Sequence, residues 1–539
     1  MNIVQGHFWR PMIAALMLVL GPCAVCFADE RQSLEELRNT VVNLLQALVE
    51  QGVITREKAA QMVKAAQDKA AADAAAVAKS DEGAVRVPYV PQIVKDEIAK
   101  QVAEQVKPGV VADVVHEAKE EKWGVPGALA DWLTRTQIYG NVTLREEGIF
   151  YDKKNAPNTF LNYFAINNAG GFSKAGQNAF EDTSINRIRT RGTARIGVES
   201  QLSDSLTAGI RLATGNSTDL VSESQTLDGT APYQVGVDEL YIRDDQRNAK
   251  KFPWLSVVGG RFLNPYDSPD DLIFHRDLTF TGVAATGRFG FGDGSPEQSH
   301  LFFTVGGHSL QEIQLSPQDK WLVAAQLGTN LRWGEGQHLR FAVGFYDYLN
   351  VTGRLNPPDS TIYNYTAPTF IRQGNTVFDI SNNSDPSVNL FALASKFRLA
   401  NVNATYRASL GRYEAAVTAD AVRNLGFNSA DVSGRYGAYV PAHTKGYQLQ
   451  ASFGDPVVAT LGTWRALVGY RYLQNDAVID AFTDSDFHYG GTNARGYYVI
   501  GDLGLANRVW ARLRYLSANE IYGPTLGIDT LQLDLNTRF

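Results

Sequence analysis

Beyond Gln137, apolar and polar residues alternate with period two over most of the chain. Trp464, Ala466, Val468, Tyr470 and Tyr472 fall on one face, and Arg465, Gly469 and Arg471 on the other. Tyr447, Leu449, Ala451 and Phe453 oppose Gln448, Gln450 and Ser452 in the same way, and Val509, Ala511, Leu513 and Tyr515 oppose Trp510, Arg512 and Arg514. Successive side chains of a strand point to opposite faces, so the pattern predicts strands with one oily and one wet side. Sixteen are expected, starting near 137, 185, 204, 234, 253, 278, 299, 320, 338, 396, 411, 443, 462, 494, 507 and 528. The connections alternate too. Tight ones fall near 203–204, 334–337, 410–411 and 506–507, and long ones near 148–184, 349–395, 425–442 and 475–492.

Upstream the period is seven. Leu34, Leu37, Val41, Leu44 and Leu48 form a short heptad seam, followed by an alanine-rich stretch from Lys58 to Ala78. This predicts a helical or coiled-coil segment over 29–80, and a helical linker over 81–136 broken at Pro88, Pro91 and Pro108-Gly109. Residues 1–28 read as a secretory signal: Arg10, an unbroken apolar run from Met12 to Leu20, then small residues ending at Ala28. That run is too short for a membrane span, which needs about 20 residues. The two cysteines, Cys23 and Cys26, both lie within residues 1–28, so the exported chain is expected to have no thiol.

Composition narrows the fold. A formal net charge of −7 argues against a nucleic-acid binder. The mean hydropathy of −0.20 excludes a bundle of membrane helices. It leaves a membrane barrel open, because only alternate strand residues meet lipid. No blade-length or shorter repeat supports a β-propeller or β-helix. The expected fold is therefore an all-β transmembrane barrel over 137–539. The segment Leu531 to Phe539 places Leu531, Leu533, Leu535 and Phe539 on one face and resembles the closing strand of bacterial outer-membrane barrels, which assembly machinery reads. An even strand number puts both barrel ends, and the helices, on the periplasmic side.

The charges decide which face is wet. Arg187, Arg189, Arg191 and Arg195 share one face of the second strand, opposite Ile188, Ile196 and Val198. An arginine on the lipid face near the midplane costs about 2–4 kcal/mol, so four must point into the lumen. Barrel closure sets Arg145, Arg512 and Arg514 beside them, with Arg211 next on the third strand, as candidate pore-lining residues. Two readings stand: a basic wall along a water-filled pore, or arginines paired with Glu147, Glu199, Asp502 and Asp534 that fill the lumen. The loop after the fifth strand carries Asp267, Asp270 and Asp271. If it folds inward, these acids form a constriction facing the arginines and a transverse field across the aperture.

Catalytic and metal signals are weak. The eight histidines are scattered. Gly307-His308-Ser309-Leu310-Gln311 fails the nucleophile-elbow pattern at its last position. Neither an enzyme nor a cofactor is expected.

The stretches "LEELRNTVVNLLQALVEQGVITREKAAQMVKAAQ", "GRFLNPYDSPDDLIFHRDLTFTGVA" and "LQLDLNTRF" resemble the putative porins of Gram-negative bacteria, which carry a helical segment before the barrel. The resemblance implies an outer-membrane diffusion channel for small hydrophilic solutes or ions, with outer-membrane lipid, lipopolysaccharide and the barrel assembly machinery as partners, and a homo-oligomer, with a trimer as the analogy. A structural barrel plugged by its own loops and linked to the cell wall is the alternative.

Overall fold

The computed structural model describes residues 134–539, except 216–219, 222–223, 231, 315 and 386, together with seven helical positions between Lys58 and Lys69. The expected signal, residues 81–133 of the expected 81–136 linker and most of the 29–80 segment lie outside the described residues.

Sixteen long antiparallel strands close into a barrel. They are β1 (Thr136–Tyr151), β2 (Arg187–Gln201), β3 (Leu206–Thr214), β4 (Val235–Arg247), β5 (Pro253–Leu263), β6 (Thr279–Phe291), β7 (Ser299–Gln311), β8 (Lys320–Trp333), β9 (Gln337–Leu349), β10 (Phe397–Leu410), β11 (Tyr413–Asn424), β12 (Lys445–Gly454), β13 (Trp464–Leu473), β14 (Ala494–Ala506), β15 (Val509–Glu520) and β16 (Gly527–Arg538). Each starts within two residues of its expected position. Each pairs with its sequence neighbour, and β1 also pairs with β16, so no edge is left open. At the seam Gly140 and Phe539 exchange backbone hydrogen bonds of 3.2 and 3.0 Å. Only glycine fits at 140, because a Cβ there would lie 2.5 Å from the Phe539 ring.

Burial is inverted relative to a soluble protein. Outward residues are large and bare, with Ile188 71% and Val468 53% exposed, while the inward Asn403 and Gln532 are 1% and 0% exposed. An apolar belt outside a polar interior is the signature of a barrel in lipid. The turns at 202–205, 334–336, 411–412 and 507–508 are tight, and Gly411 supplies the left-handed conformation (φ 65°) that its turn requires. The opposite end carries loops 152–186, 215–234, 264–278, 350–396, 425–444 and 474–493.

Several of these loops fold inward. Leu272, Ile273 and Phe274 of loop 264–278 pack with Val478, Ile479 and Phe482 of loop 474–493, with Ile371 and Val377 of loop 350–396, and with Tyr346, Phe397 and Leu399 of the wall. Phe274 meets Phe280 edge-on at 5.3 Å and Tyr346 at 5.2 Å. Burying each such side chain stabilises the seated loops by about 1.5–3 kcal/mol. Periodicity does not predict this filling, because loop residues carry no repeating pattern. Two small additions also lie outside the alternation: Gln225–Thr226, which pairs with β2, and a hairpin of Val377–Asp379 with Phe391–Leu393.

Candidate functional site

The filling is lopsided. Apolar loop residues occupy the side of the lumen next to β6–β13, and the charged side chains of β14, β15, β16, β1, β2 and β3 line the other side. Strand register fixes their order. Asp502 faces Arg512, Arg512 faces Asp534, Asp534 faces Arg145, and Arg145 faces Arg191. One level along, Arg514 faces Gln532, Gln532 faces Glu147, and Glu147 faces Arg189.

The pairs are close. Arg512 Nε lies 2.6 Å from Asp502, Arg145 Nε 2.7 Å from Asp534, and Arg189 Nε 2.6 Å from Glu147, which Arg191 also approaches at 3.4 Å. Gln532 donates to Glu147 at 2.8 Å and accepts from Arg514 at 2.9 Å. Arg211 holds Asp238 and Glu239, the latter at 2.6 Å. Arg195 reaches Asp277 at the end of loop 264–278, at 2.8 Å. Arg187 stands exposed at the loop end of β2. The structure therefore gathers Arg145, Arg189, Arg191, Arg195, Arg211, Arg512 and Arg514 on one arc, each against a carboxylate. Glu147, Asp502 and Asp534 serve the arc, whereas Glu199 takes Arg243 (3.3 Å) and Tyr241 instead.

Loop 474–493 braces this arc. Asp486 Oδ2 sits 2.7 Å from Arg514 Nη1 and 3.0 Å from Arg145 Nη1. Burial alone would raise its carboxyl, but Arg145, Arg514 and Arg191 outweigh burial and hold it well below the usual carboxylate range. Asp484 approaches Arg471 of β13 at 3.6 Å. No sequence pattern marks Asp486 or Asp277, because both lie on loops whose path is set by tertiary packing.

The acids of loop 264–278 go elsewhere. Asp267 takes Arg340 of β9 at 2.7 Å, and its backbone N–H donates to Gln326 of β8 at 2.7 Å. Asp270 is buried beside Asp420 of β11, and burial pushes its carboxyl up to about 6. Asp271 pairs with Arg276 of its own loop at 2.8 Å. The loop anchors to β8–β11 through Asp267 and Asp270 and meets the arginine arc through Asp277. Tyr266, 2.8 Å from His308 of β7, adds to that anchorage.

Two cavities follow the arc. One of about 190 Å³ lies towards the loop end and is lined by Glu147, Arg189, Arg191, Arg372 and Asp486. One of about 570 Å³ extends to Arg538 and Phe539, and seven arginines and three aspartates line it. Ser485 and Asp486 border both.

A sequence profile of a family described as putative porin matches residues 38–539. Among solved structures, OprB of Pseudomonas putida is similar at 10% identity, covering 78% of this chain and 97% of that one with a TM-score of 0.44. OmpF of Salmonella typhi, in a complex with daunomycin, is similar at 12% identity, with 75% and 97% covered and a TM-score of 0.38. The trimer form of Vibrio cholerae OmpT is similar at 10% identity, with 75% and 99% covered and a TM-score of 0.38. No curated protein matches the sequence.

Proposed function

Because this chain belongs to the putative porin family, we propose that solutes cross it along the arginine-lined arc and not through the centre of the barrel. The protein is an outer-membrane diffusion channel for small hydrophilic solutes or ions. One observation carries the route: the loops pack an apolar core against β6–β13, and a cavity of about 570 Å³ lined by charged side chains follows β15, β16, β1 and β2. Transfer is passive. Fixed charges replace part of a solute's hydration, and the ion pairs hold the guanidiniums in place so that little reorganisation accompanies passage. Seven arginines against three aspartates around the larger cavity favour small anions over cations.

The reading further holds that the protein catalyses no reaction and needs no cofactor, that it assembles as a homotrimer like the Vibrio cholerae OmpT form, and that Leu531, Leu533, Leu535 and Phe539 present the strand read by the barrel assembly machinery. It keeps the N-terminal segments, 29–80 and 81–136, as a periplasmic helical extension of a barrel domain over 137–539.

Cysteine accessibility tests the route. Thr193 borders the larger cavity, whereas the inward side chain of Leu399 is fully buried in the loop core. A charged thiol reagent should block current through a Thr193→Cys channel and leave a Leu399→Cys channel conducting. Block of Leu399→Cys alone would place the route on the opposite side.

A further inference from the structure

The outward face of the barrel is apolar over most of its height, yet its loop end over β9–β12 carries a compact group of cations. Arg398 on β10, Arg423 on β11 and Lys445 on β12 all occupy lipid-side positions. Their inward neighbours Phe397, Leu399, Val422, Asn424 and Gly446 are buried. Below them the same face continues with Val402, Val417, Tyr447 and Leu449, all exposed. The cations therefore stand at the upper edge of the oily belt, level with the headgroups of the outer leaflet.

Two features are hard to explain by the fold alone. Arg423 lies directly opposite Lys445 in the β11–β12 register, and like charges in that position repel. Among the described residues neither side chain, nor that of Lys396 just before β10, has a carboxylate at ion-pair distance. Only Arg398 has one, Asp347 at 3.2 Å. Beside them a cavity of about 300 Å³ is lined by Lys396, Arg398, Asp347 and Leu349 of the wall and by Arg354 and Arg435 of the loops above. Arg435 is held in place by the Ala394 carbonyl at 2.9 Å, and Arg354 lies over the Tyr363 ring at 4.1 Å. The opposing acids near this group are Asp347 and the exposed Asp431 in the first turn of the helix Ser429–Tyr436.

We infer that this group is a binding site for a phosphorylated glycolipid headgroup of the outer leaflet. A phosphate bridging Arg423 and Lys445 turns their repulsion into two charge-assisted contacts. A second phosphate on the same sugar framework reaches the Lys396–Arg398 cavity, and the acyl chains lie along Val402, Val417 and Leu449. Guanidiniums dominate the site, in keeping with their preference for forked contact with phosphate oxygens.

The site rests on the outer-membrane placement, so its test must separate from that of the channel. Detergent-folded wild-type protein is titrated with bisphosphorylated lipid A, with the same acylated disaccharide lacking both phosphates, and with inorganic phosphate, and binding is read by native mass spectrometry. The bisphosphorylated lipid should remain bound and the dephosphorylated one should not. Arg423→Gln with Lys445→Gln should weaken binding about tenfold or more, as expected for lost charge-assisted contacts, at unchanged single-channel conductance. Equal binding of the two lipids by wild-type protein overturns the proposal without touching the channel reading. Retention of inorganic phosphate in place of the lipid also overturns it, by assigning the group to a free anion.

Discussion

Replacing Asp486 by Asn removes one charge at nearly constant volume from the point where loop 474–493 meets the arginine arc. The carboxylate bridges Arg514 (2.7 Å) and Arg145 (3.0 Å). Removing one member of a buried ion pair typically costs about 3–5 kcal/mol. Here Arg145 keeps Asp534 at 2.7 Å and Arg514 keeps Gln532 at 2.9 Å, so the loss falls at the lower end. About 3 kcal/mol corresponds to roughly a hundredfold shift in the balance between seated and unseated loop. The loop is a local unit, so the barrel stays closed while the loop opens more often. Limited proteolysis at low protease reports the open population, and cleavage within 474–493 should accelerate by roughly that hundredfold factor. The same variant adds one net positive charge beside both cavities, so its reversal potential should move towards that of the anion. Cleavage within twofold of wild type, together with an unchanged reversal potential, would refute the claim that this pair seats the loop.

Three further outcomes follow from the same geometry. Replacing Arg189, Arg191 and Arg512 with Gln leaves Glu147 and Asp502 without their arginine partners, so selectivity should move towards cations, and an unshifted reversal potential would remove these arginines from the route. Phe274→Ala deletes an aromatic plug wedged against Phe280 and Tyr346. Such a truncation costs about 3–5 kcal/mol in a packed core, so larger or noisier conductance steps are expected, and steps identical to wild type would show that the apolar filling does not limit the passage. The loop should also respond to pH in both directions. Burial pushes the Asp480 carboxyl up to about 8 and that of Asp476 to about 6. An unseated aspartate titrates near about 3.9, so the seated loop binds the extra protons and loosens as pH rises from about 4 to 8. Asp486 has the opposite sign: its contribution is present above about 4 and is lost as pH falls below that value. Protease resistance of loop 474–493 should peak near pH 4–5, and Asp480→Asn should weaken the alkaline decline; a flat wild-type profile would contradict both signs.

The barrel was legible because lipid and water impose opposite demands on neighbouring residues. Ile188 and Arg189 cannot exchange faces, so the strand positions and the inward turn of the arginines follow from alternation. The loops obey no such constraint. Asp267 lies in a run of acids that reads as a counter-charge to the arginines, yet Arg340 on β9 sits 2.7 Å away and holds it. Arg340 shows no ladder in sequence, because its neighbours on the inward face of β9 are uncharged. The residue that does face the arc, Asp277, lies beyond the acidic run, and Asp486 comes from a loop more than two hundred residues further along the chain. The two readings of the arginines, basic wall or paired lattice, also merge. Register places Asp502, Asp534 and Glu147 between the arginines, which pairs them while leaving them along the cavity.

The central claim is an open, arginine-lined passage, and current across a planar bilayer holding the purified protein between unequal salt solutions tests it most directly. Discrete conductance steps with a reversal potential on the anion side are predicted. Silence from correctly folded protein would contradict the passage and point to a barrel closed by its own loops.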